Sequence, residues 1–425
     1  MMRNRRTRLM WLAITVGLVL HLVGLAGAWR EARRDNSGRD FASYHYAVQV
    51  AVEGGDPYDK AALGRQAREE GTRKGVHPFF YPPPFLLGMA WTAPLSLGDA
   101  YRTWFWLDEL MGLLAFSGLA WSWRRLDPVV VGSVGLFLGL LTGLPNNHAM
   151  GQANLPVMLL VVAGLAAEAR QREGLGGALM GLACMAKMSP AVFVMWWILR
   201  RRWKAVVSSL ACAVVLSVLT LPIVGFETQW GFFTRVLPGF GSGSYNGLTV
   251  GIDLFGNHSL PNLFDAWFPH ENGRHLALSD TARRLGSLSF ALLLGVMGWA
   301  FWRPPADRLA RAGQLGAVAA TMLLVPVITY EHHLVWGLIP AVALVAGLSA
   351  GRLSWWWVWP VAAAVGFWCA DLVELKQLSL SLRPSRPMLG WVVQEAKFAA
   401  LAVFFVASVV LGRSSPVTSS TGSAS

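Results

Sequence analysis

Titratable side chains are concentrated directly after the first long apolar run of the chain. The stretch RDFASYHYAVQVAVEGGDPYD, residues 39–59, carries four carboxylates, three tyrosines and a histidine. The helical spacing of Phe41, Tyr44 and Val48 predicts a short helix over 41–53, which puts Asp40 at the N-cap position. A cap is the purely structural interpretation of Asp40. The functional one is a carboxylate available for proton transfer, beside aromatic rings suited to packing on a sugar or on lipid headgroups.

Two further groups of residues supply possible cations. Lys187 lies in ACMAKMSPA, an apolar segment, where a cation is costly and is a functional candidate by default. The segment PVITYEHHLVWGLIP, 325–340, contains Tyr330 and the adjacent pair His332 and His333. Adjacent residues point in different directions on a helix, so we expect one histidine to face inward and the other to face headgroups. A metal pair prefers i, i+4 spacing, so we expect no metal.

Carboxamides are gathered at the entrance of another apolar segment, PNNHAMGQANLP at 145–156. Gln152 and Asn154 belong to this group, which serves either as a helix-packing network or as the lining of a polar ligand site. Asn257 and Ser259 lie in a long polar connection, and taken alone their signal is loop-like.

The elements that must position these residues are membrane helices. The chain has 425 residues, of which 54% are hydrophobic and only 14% charged, whereas soluble domains carry about 25% charge. Its apolar runs approach the roughly 20 residues that cross a bilayer. We predict an all-α polytopic membrane protein with about ten to thirteen passes, as one domain over residues 1–412 followed by a disordered tail, 413–425.

Two of these runs contain helix breakers. They are YPPPF at 81–85, in the run 82–98, and KMSP at 187–190, in the run 174–199. If both runs crossed once as plain helices, some basic loops would fall on the wrong side. We therefore expect an incomplete crossing, which is tolerated where it lines protein or a water-filled cavity.

Charge distribution predicts the orientation of the chain. The net charge is +12, and the basic residues cluster in short loops at 3–8, 123–127, 169–173, 200–204 and 303–311. This is the positive-inside pattern, which argues against nucleic acid as a partner. The long connections 30–81 and 225–282 then face the extracytoplasmic side of the plasma membrane.

Some standard signatures are missing from the sequence. The three cysteines lie in apolar segments without metal-ligand spacing, so neither a disulfide framework nor a zinc site is indicated. There is also no Walker loop and no GxGxxG motif after a strand. Any group transfer must therefore draw on a donor that is already in the membrane, and no cofactor is expected.

The chain resembles glycosyltransferase family 87, the polyprenyl-phosphate-mannose-dependent mannosyltransferases of the GT-C superfamily. The matching pieces run in family order from about residue 40 to 340. They are DFASYHYAVQVAVEGGDPYD, YPPPFLLGMAWTAPLSL, GQANLPVMLLVVAGL, KMSPAVFVMWWILRRRWK, GNHSLPNLF and PVITYEHHLVWGLIP. His258 stands where the family commonly has Gln, and ITYEHH replaces a more usual Ser-Trp-x-His-His.

The resemblance implies transfer of a mannosyl or related sugar, with inversion, from a polyprenyl-phosphate donor to a lipid or glycan acceptor. The family's catalytic carboxylate corresponds to Asp40 as general base, and His332, His333 and Lys187 are suited to the donor phosphate. Candidates for binding the sugar or acceptor are Tyr44, Gln152, Asn154, Asn257, Ser259 and Tyr330.

Two other function classes stay open from the sequence. A transporter or flippase of a lipid-linked sugar also needs a polar cavity, but transporters concentrate polar residues near the midplane, whereas here they lie at one face. A non-catalytic structural subunit explains the polar clusters poorly. The acceptor is undetermined, and arabinose is an alternative to mannose.

Overall fold

The first half of the chain consists of helices. A computed structural model describes residues 2–35, 39–72, 75–123, 127–270 and 276–415; the predicted tail from residue 416 onward and part of the basic loop 123–127 lie outside these ranges. In chain order the helices are α1 (Met2–Asp35), α2 (Arg39–Val52), α3 (Lys60–Glu69), α4 (Phe85–Met89), α5 (Leu97–Trp123), α6 (Pro128–Leu140), α7 (Gly143–Met150), α8 (Asn154–Ala169), α9 (Glu173–Ala186) and α10 (Ala191–Leu199).

The second half continues in the same way. Its helices are α11 (Trp203–Gly231), the single turn α12 (Leu237–Gly239), α13 (Leu260–Trp267), α14 (Asp280–Phe301), α15 (Arg308–Leu324), α16 (Leu338–Ser349), α17 (Val358–Cys369), α18 (Leu372–Leu382), α19 (Pro387–Gln394) and α20 (Ala396–Arg413). A 3-10 helix, Glu331–Gly337, leads into α16. The described residues contain no strand, so the predicted all-α membrane fold is confirmed.

Judged by length and composition, fewer helices can cross a membrane than the ten to thirteen passes predicted. Within the described ranges, five helices are long and apolar enough to cross a membrane, or up to seven if each of two bent helix pairs is one span. Part of the difference arises because α8, α9 and α10 have only 16, 14 and 9 residues, fewer than the roughly 20 that a straight span requires.

Both segments with helix breakers are interrupted. The run 82–98 forms only the five-residue α4 and a 3-10 turn over Ala90–Thr92 before α5 begins. The run 174–199 divides into α9 and α10, and Lys187 ends α9 in an extended conformation, with φ −155° and ψ 127°. Neither run is a single plain crossing, and the break at 187–190 brings a cation into the interior.

The basic loops meet at one end of the molecule. Arg202 and Arg311 both pair with Glu168, at 3.2 and 2.5 Å, which joins the end of α8 to the loop after α10 and to the first turn of α15. Arg352, after α16, pairs with Asp307 at 2.6 Å. Loops far apart in sequence thus share one face, as a common side of the membrane requires.

The two long connections are more helical than the sequence suggests. The first contains α2, close to the predicted helix 41–53, and α3. Because α2 begins at Arg39, Asp40 lies in its first turn, and the predicted N-cap position is wrong. In the second, helical structure continues beyond residue 225, although Gly225 interrupts α11 with φ +75°, a backbone conformation that favours glycine.

Candidate active site

A cavity of about 820 Å³ contains most of the sequence-predicted polar residues. Among the residues that the structure describes, the lining includes parts of α2, the loop before α4, the 187–190 break, α14, and the segment that enters the 3-10 helix at 331. The predicted site residues on its wall are Asp40, Gln152, Lys187, Tyr330, His332 and His333. The structure therefore brings together side chains that are up to 293 positions apart in the sequence.

The Asp40 carboxylate is held by two donors from different parts of the chain. Gln152 Nε2 donates to Oδ2 at 2.6 Å, and His77 Nδ1 lies 3.0 Å from Oδ1. The Asp40 side chain is 15% exposed. Because a carboxylate offers about four lone-pair sites, two protein partners leave acceptor capacity for a hydroxyl in the cavity.

The surroundings of Asp40 favour its ionised form. Burial acts to raise the pKa of this carboxyl, but the His77 hydrogen bond, the charges of His332 and His77 and the Gln152 hydrogen bond offset it. The pKa of Asp40 therefore lies below its ordinary value of 3.8. Asp40 is thus an ionised acceptor throughout the neutral range.

Removal of His77 should move the acid limb of activity to higher pH. The His77→Ala protein keeps the burial of Asp40 but loses the strongest interaction that lowers its pKa, so the carboxylate becomes protonated at higher pH. We expect the acid limb of the kcat/KM profile, measured from pH 4 to 8, to lie at higher pH than in the parent protein. His77→Gln, which can still donate a hydrogen bond, should shift it less. An unchanged limb in His77→Ala would show that His77 does not control Asp40.

Gln152 connects the carboxylate to a cation. While its Nε2 donates to Asp40, its Oε1 accepts from Lys187 Nζ at 3.3 Å and from the Tyr81 hydroxyl at 2.9 Å. Lys187 Nζ also donates to Asn154 Oδ1 at 2.7 Å. An ammonium group has three donors, so these two bonds leave one for a ligand.

Both histidines line the cavity, although we expected the pair to diverge. Their ring centroids are 4.3 Å apart. The reason is that His333 folds back over the start of its own helix, where its Nδ1 accepts from the Tyr330 N–H at 3.0 Å. With Nδ1 used as an acceptor, a neutral His333 ring carries its proton on Nε2, where it can serve as a donor.

Four predicted binding residues lie behind the cavity wall and contact other parts of the protein. The Tyr44 hydroxyl bonds to the Tyr81 hydroxyl at 2.7 Å, and Asn154 Nδ2 donates to the His332 backbone oxygen at 3.0 Å. Asn257 and Ser259 each donate to the Val327 oxygen at 2.9 Å.

Tyr330 remains on the wall, but its hydroxyl donates to the Gly251 oxygen at 3.1 Å. Of the six residues predicted to bind sugar or acceptor, Gln152 is the one that contacts Asp40 and Lys187, although it is itself buried. The other five hold the wall in place.

His77 and Tyr81 are polar wall residues that the sequence reasoning did not select. Both lie in the connection before α4, which has no hydrophobic periodicity. Tyr81 belongs to YPPPF, a motif that the sequence analysis treats only as a helix breaker because of its prolines. The available signal was proximity in sequence, because the motif follows directly after the titratable stretch 39–59.

A buried ion pair anchors the segment that carries the two histidines. Glu331 precedes them, and its Oε1 accepts from Lys397 Nζ at 2.5 Å and from the Thr142 hydroxyl at 2.6 Å. The side chains of Glu331 and Lys397 are 6% and 1% exposed. This pair fixes the start of the 3-10 helix to α20.

Fold and site together define a polytopic helical membrane protein with a charged, partly enclosed cavity at one end. Residues 79–329, more than half of the chain, match the model of glycosyltransferase family 87. The chain belongs to this family, and the predicted family is confirmed. The match begins after Asp40 and ends before His332, so the roles of these residues rest on the geometry.

The curated relatives are mycobacterial enzymes. A polyprenol-phosphate-mannose-dependent alpha-(1-2)-phosphatidylinositol mannoside mannosyltransferase of Mycobacterium tuberculosis H37Rv is 28% identical over 254 residues, 56% of this chain and 54% of the relative. The protein of the same name from Mycolicibacterium smegmatis is 26% identical over 377 residues, 82% of this chain and 79% of the relative. A pentamannoside mannosyltransferase from M. smegmatis is 27% identical over 343 residues, 76% and 75% of the two chains. The chain thus spans about half the length of the first of these relatives, and most of the other two. These relatives favour an enzyme over a transporter.

Proposed function

We propose that this protein transfers a mannosyl residue from a polyprenyl-phosphate donor to a membrane glycolipid, with inversion at the anomeric carbon. Membership of glycosyltransferase family 87 and the donor named for all three relatives support this proposal. The observation that carries it is the bridge made by Gln152, which contacts Asp40 with one end of its carboxamide and Lys187 with the other. A base and a cation are thus held side by side at one cavity wall.

Asp40 acts as the general base in this mechanism. An acceptor hydroxyl donates to the free lone pairs of the carboxylate, and its oxygen attacks the anomeric carbon. The new carbon–oxygen bond forms as the bond from that carbon to the phosphate oxygen breaks. The hydroxyl proton passes to Asp40, and the bonding electrons leave with the phosphate, which becomes a polyprenyl phosphate monoester.

The leaving phosphate gains negative charge, which Lys187 and the histidines stabilise. Lys187, in its ammonium form, supplies its remaining N–H and a positive charge, and His333 supplies its Nε2 hydrogen. Donors placed where charge develops contribute more in a partly enclosed site than in water. These side chains can neutralise a single phosphate, so we propose that neither a metal nor another cofactor takes part.

The acceptor is the least constrained part of the proposal. The relatives are named for phosphatidylinositol mannosides, so we propose a glycolipid acceptor for this chain. The test is incubation of the purified protein with radiolabelled polyprenyl-phosphate-mannose and membrane extract, followed by identification of the labelled lipid. Label transferred to a glycolipid supports the proposal. Its retention on the donor alone, with active protein from a relative as control, would refute it.

Lys187→Met should raise the KM for the donor about 10- to 100-fold, the range of a lost hydrogen bond to a charged group. Methionine has a similar length and apolar body but has neither charge nor N–H groups. Initial rates at varied donor concentration measure the change. Lys60, an exposed lysine in the same half of the molecule whose Nζ contacts the Gly247 oxygen, supplies the matched control Lys60→Met, which should keep the parent KM. Equal KM values for the parent protein, Lys187→Met and Lys60→Met would show that Lys187 does not bind the donor phosphate.

We further propose that the cavity opens on the extracytoplasmic face of the plasma membrane, so that the donor presents its sugar there on the polyprenyl carrier. The support is the positive-inside pattern together with the meeting of the basic loops at one end of the fold.

Labelling of single cysteines tests this orientation. Glu53 and Ser244 are exposed on the cavity side, and Lys204 is exposed near the basic loops. Cysteines at 53 and 244 should react with a membrane-impermeant thiol reagent in intact cells, while one at 204 should react only after lysis. The parent protein, whose three native cysteines are partly buried, sets the background. If only the cysteine at 204 reacted in intact cells, the orientation would be the reverse of the one proposed.

A further inference from the structure

A chain of carboxamides connects the cavity to a charged cluster in the interior. In this cluster, Asp108 and Glu109 of α5 flank His148 of α7, at 2.9 Å from Nδ1 and 3.0 Å from Nε2. Glu109 also contacts His21 of α1 at 2.8 Å. All four side chains are buried, and none of them lines the described cavity wall. Buried ionisable groups in a membrane protein call for a functional explanation.

The orientation of each carboxamide follows from the groups at the two ends of the chain. Asp108 lies against the His148 ring and accepts from Asn147 Nδ2 at 2.8 Å, as a carboxylate does. Asn147 Oδ1 is then the acceptor for Asn154 Nδ2, at 3.0 Å.

The opposite end favours the same orientation, as does the His332 backbone oxygen, which also accepts from Asn154 Nδ2 at 3.0 Å. Since Asn154 donates through Nδ2, its Oδ1 faces Lys187 Nζ at 2.7 Å. An ammonium group only donates, so the bond is satisfied only in this orientation. If Asn154 turned over, its NH₂ group would face the ammonium, and Lys187 would lose its shortest contact.

We propose that Asp108 is a positioning residue for Lys187, acting through Asn147 and Asn154. This inference rests on the proposed function, since it concerns the cation that would bind the donor phosphate. The buried carboxylate holds Asn147, and Asn147 together with the His332 backbone oxygen holds Asn154. An acceptor thereby stays in front of Lys187. Asp108 affects donor affinity without touching the donor.

Asp108→Asn tests this role. The charge-assisted bond to Asn147 is lost, and the new amide can present either NH₂ or oxygen, so the direction of Asn147 is no longer imposed from this end. We expect the KM for polyprenyl-phosphate-mannose to rise about tenfold, the size of one charge-assisted hydrogen bond, while kcat changes little. The stabilisation of the full-length protein against thermal unfolding by decaprenyl phosphate should weaken in parallel, which gives a readout independent of turnover.

Glu109→Gln is the matched control. Glu109 is the next residue on α5, is also buried and also contacts His148, but it contacts neither carboxamide. It should retain the parent donor KM even if its unfolding temperature falls. Equal KM changes in both variants, or a loss of stability alone in Asp108→Asn, would show that the cluster serves only to hold the fold.

A rescue experiment separates orientation from general damage. Asn147→Asp alone places two carboxylates at contact distance with no donor between them. In the double variant with Asp108→Asn, the new amide at 108 donates to the carboxylate at 147, which still accepts from Asn154. Donor KM should therefore recover toward the parent value in the double variant, and a failure to recover would overturn the proposal. If the parent protein itself shows neither transfer nor stabilisation by decaprenyl phosphate, the proposed function fails, irrespective of these variants.

Discussion

Asp40→Asn is expected to fold normally and to lose about 10²- to 10⁴-fold in turnover, the range that a general base contributes. Asparagine can keep both contacts of the native side chain. Its oxygen can accept from Gln152, and its NH₂ can donate to Nδ1 of a neutral His77. What it lacks is a site that can take up a proton. The measurement is kcat for mannosyl transfer alongside the thermal unfolding midpoint.

The same titratable stretch provides the control. Asp59 caps α3 by accepting from the Ala61 N–H at 2.8 Å, a bond that an asparagine oxygen also makes. Asp59→Asn should therefore retain turnover. Near-normal turnover in Asp40→Asn would refute the assignment, and a loss in Asp59→Asn instead would transfer the role to that residue.

Lys397→Met should cost about 3–5 kcal/mol of stability, the usual effect of removing one partner of a buried ion pair. Glu331 would keep Thr142 as a hydrogen-bond donor but would lose its buried cation. Its second oxygen lies 3.7 Å from His258 Nε2, which is too far for a good hydrogen bond. We expect a marked fall in the thermal unfolding midpoint of the purified protein in detergent.

Two comparisons make this stability prediction specific. Lys376→Met changes an exposed lysine on α18 and should stay within about 0.5 kcal/mol of the parent protein. The double variant Lys397→Met with Glu331→Leu removes both charges and should recover much of the lost stability, because replacing a buried pair by apolar groups is often neutral. If Lys397→Met unfolds at the parent temperature, the pair does not hold the 3-10 helix.

The helices were predictable from the sequence because their signals are local. Long apolar runs indicate membrane helices wherever they pack, and KMSP interrupts its run through its own backbone chemistry. The start of α2 could not be located as closely. Asp40 is a good N-cap residue type, but its two contacts come from residues 37 and 112 positions away, and a local pattern does not include such partners.

The same limit applies to the site. Asn257, Ser259 and Asn154 have side chains suited to a sugar, but all three donate to backbone oxygens elsewhere in the fold, and Asn154 also bonds to the side chains of Asn147 and Lys187. Residue type reveals the capacity to form hydrogen bonds and does not reveal the partner. His77 shows the converse, since an isolated histidine in an aperiodic connection has no pattern of its own, although it lies on the cavity wall.

The pair formed by Glu331 and Lys397 has a consequence for biosynthesis. The lysine follows the glutamate by 66 residues, so a nascent chain carries this carboxylate well before its cation has been synthesised. Until α20 is in place, the segment that carries the histidines has no buried anchor at its start. Assembly of the pocket therefore waits for α20 to leave the ribosome and insert. A chain that stalls before this point retains a carboxylate without its cation at the start of the 3-10 helix.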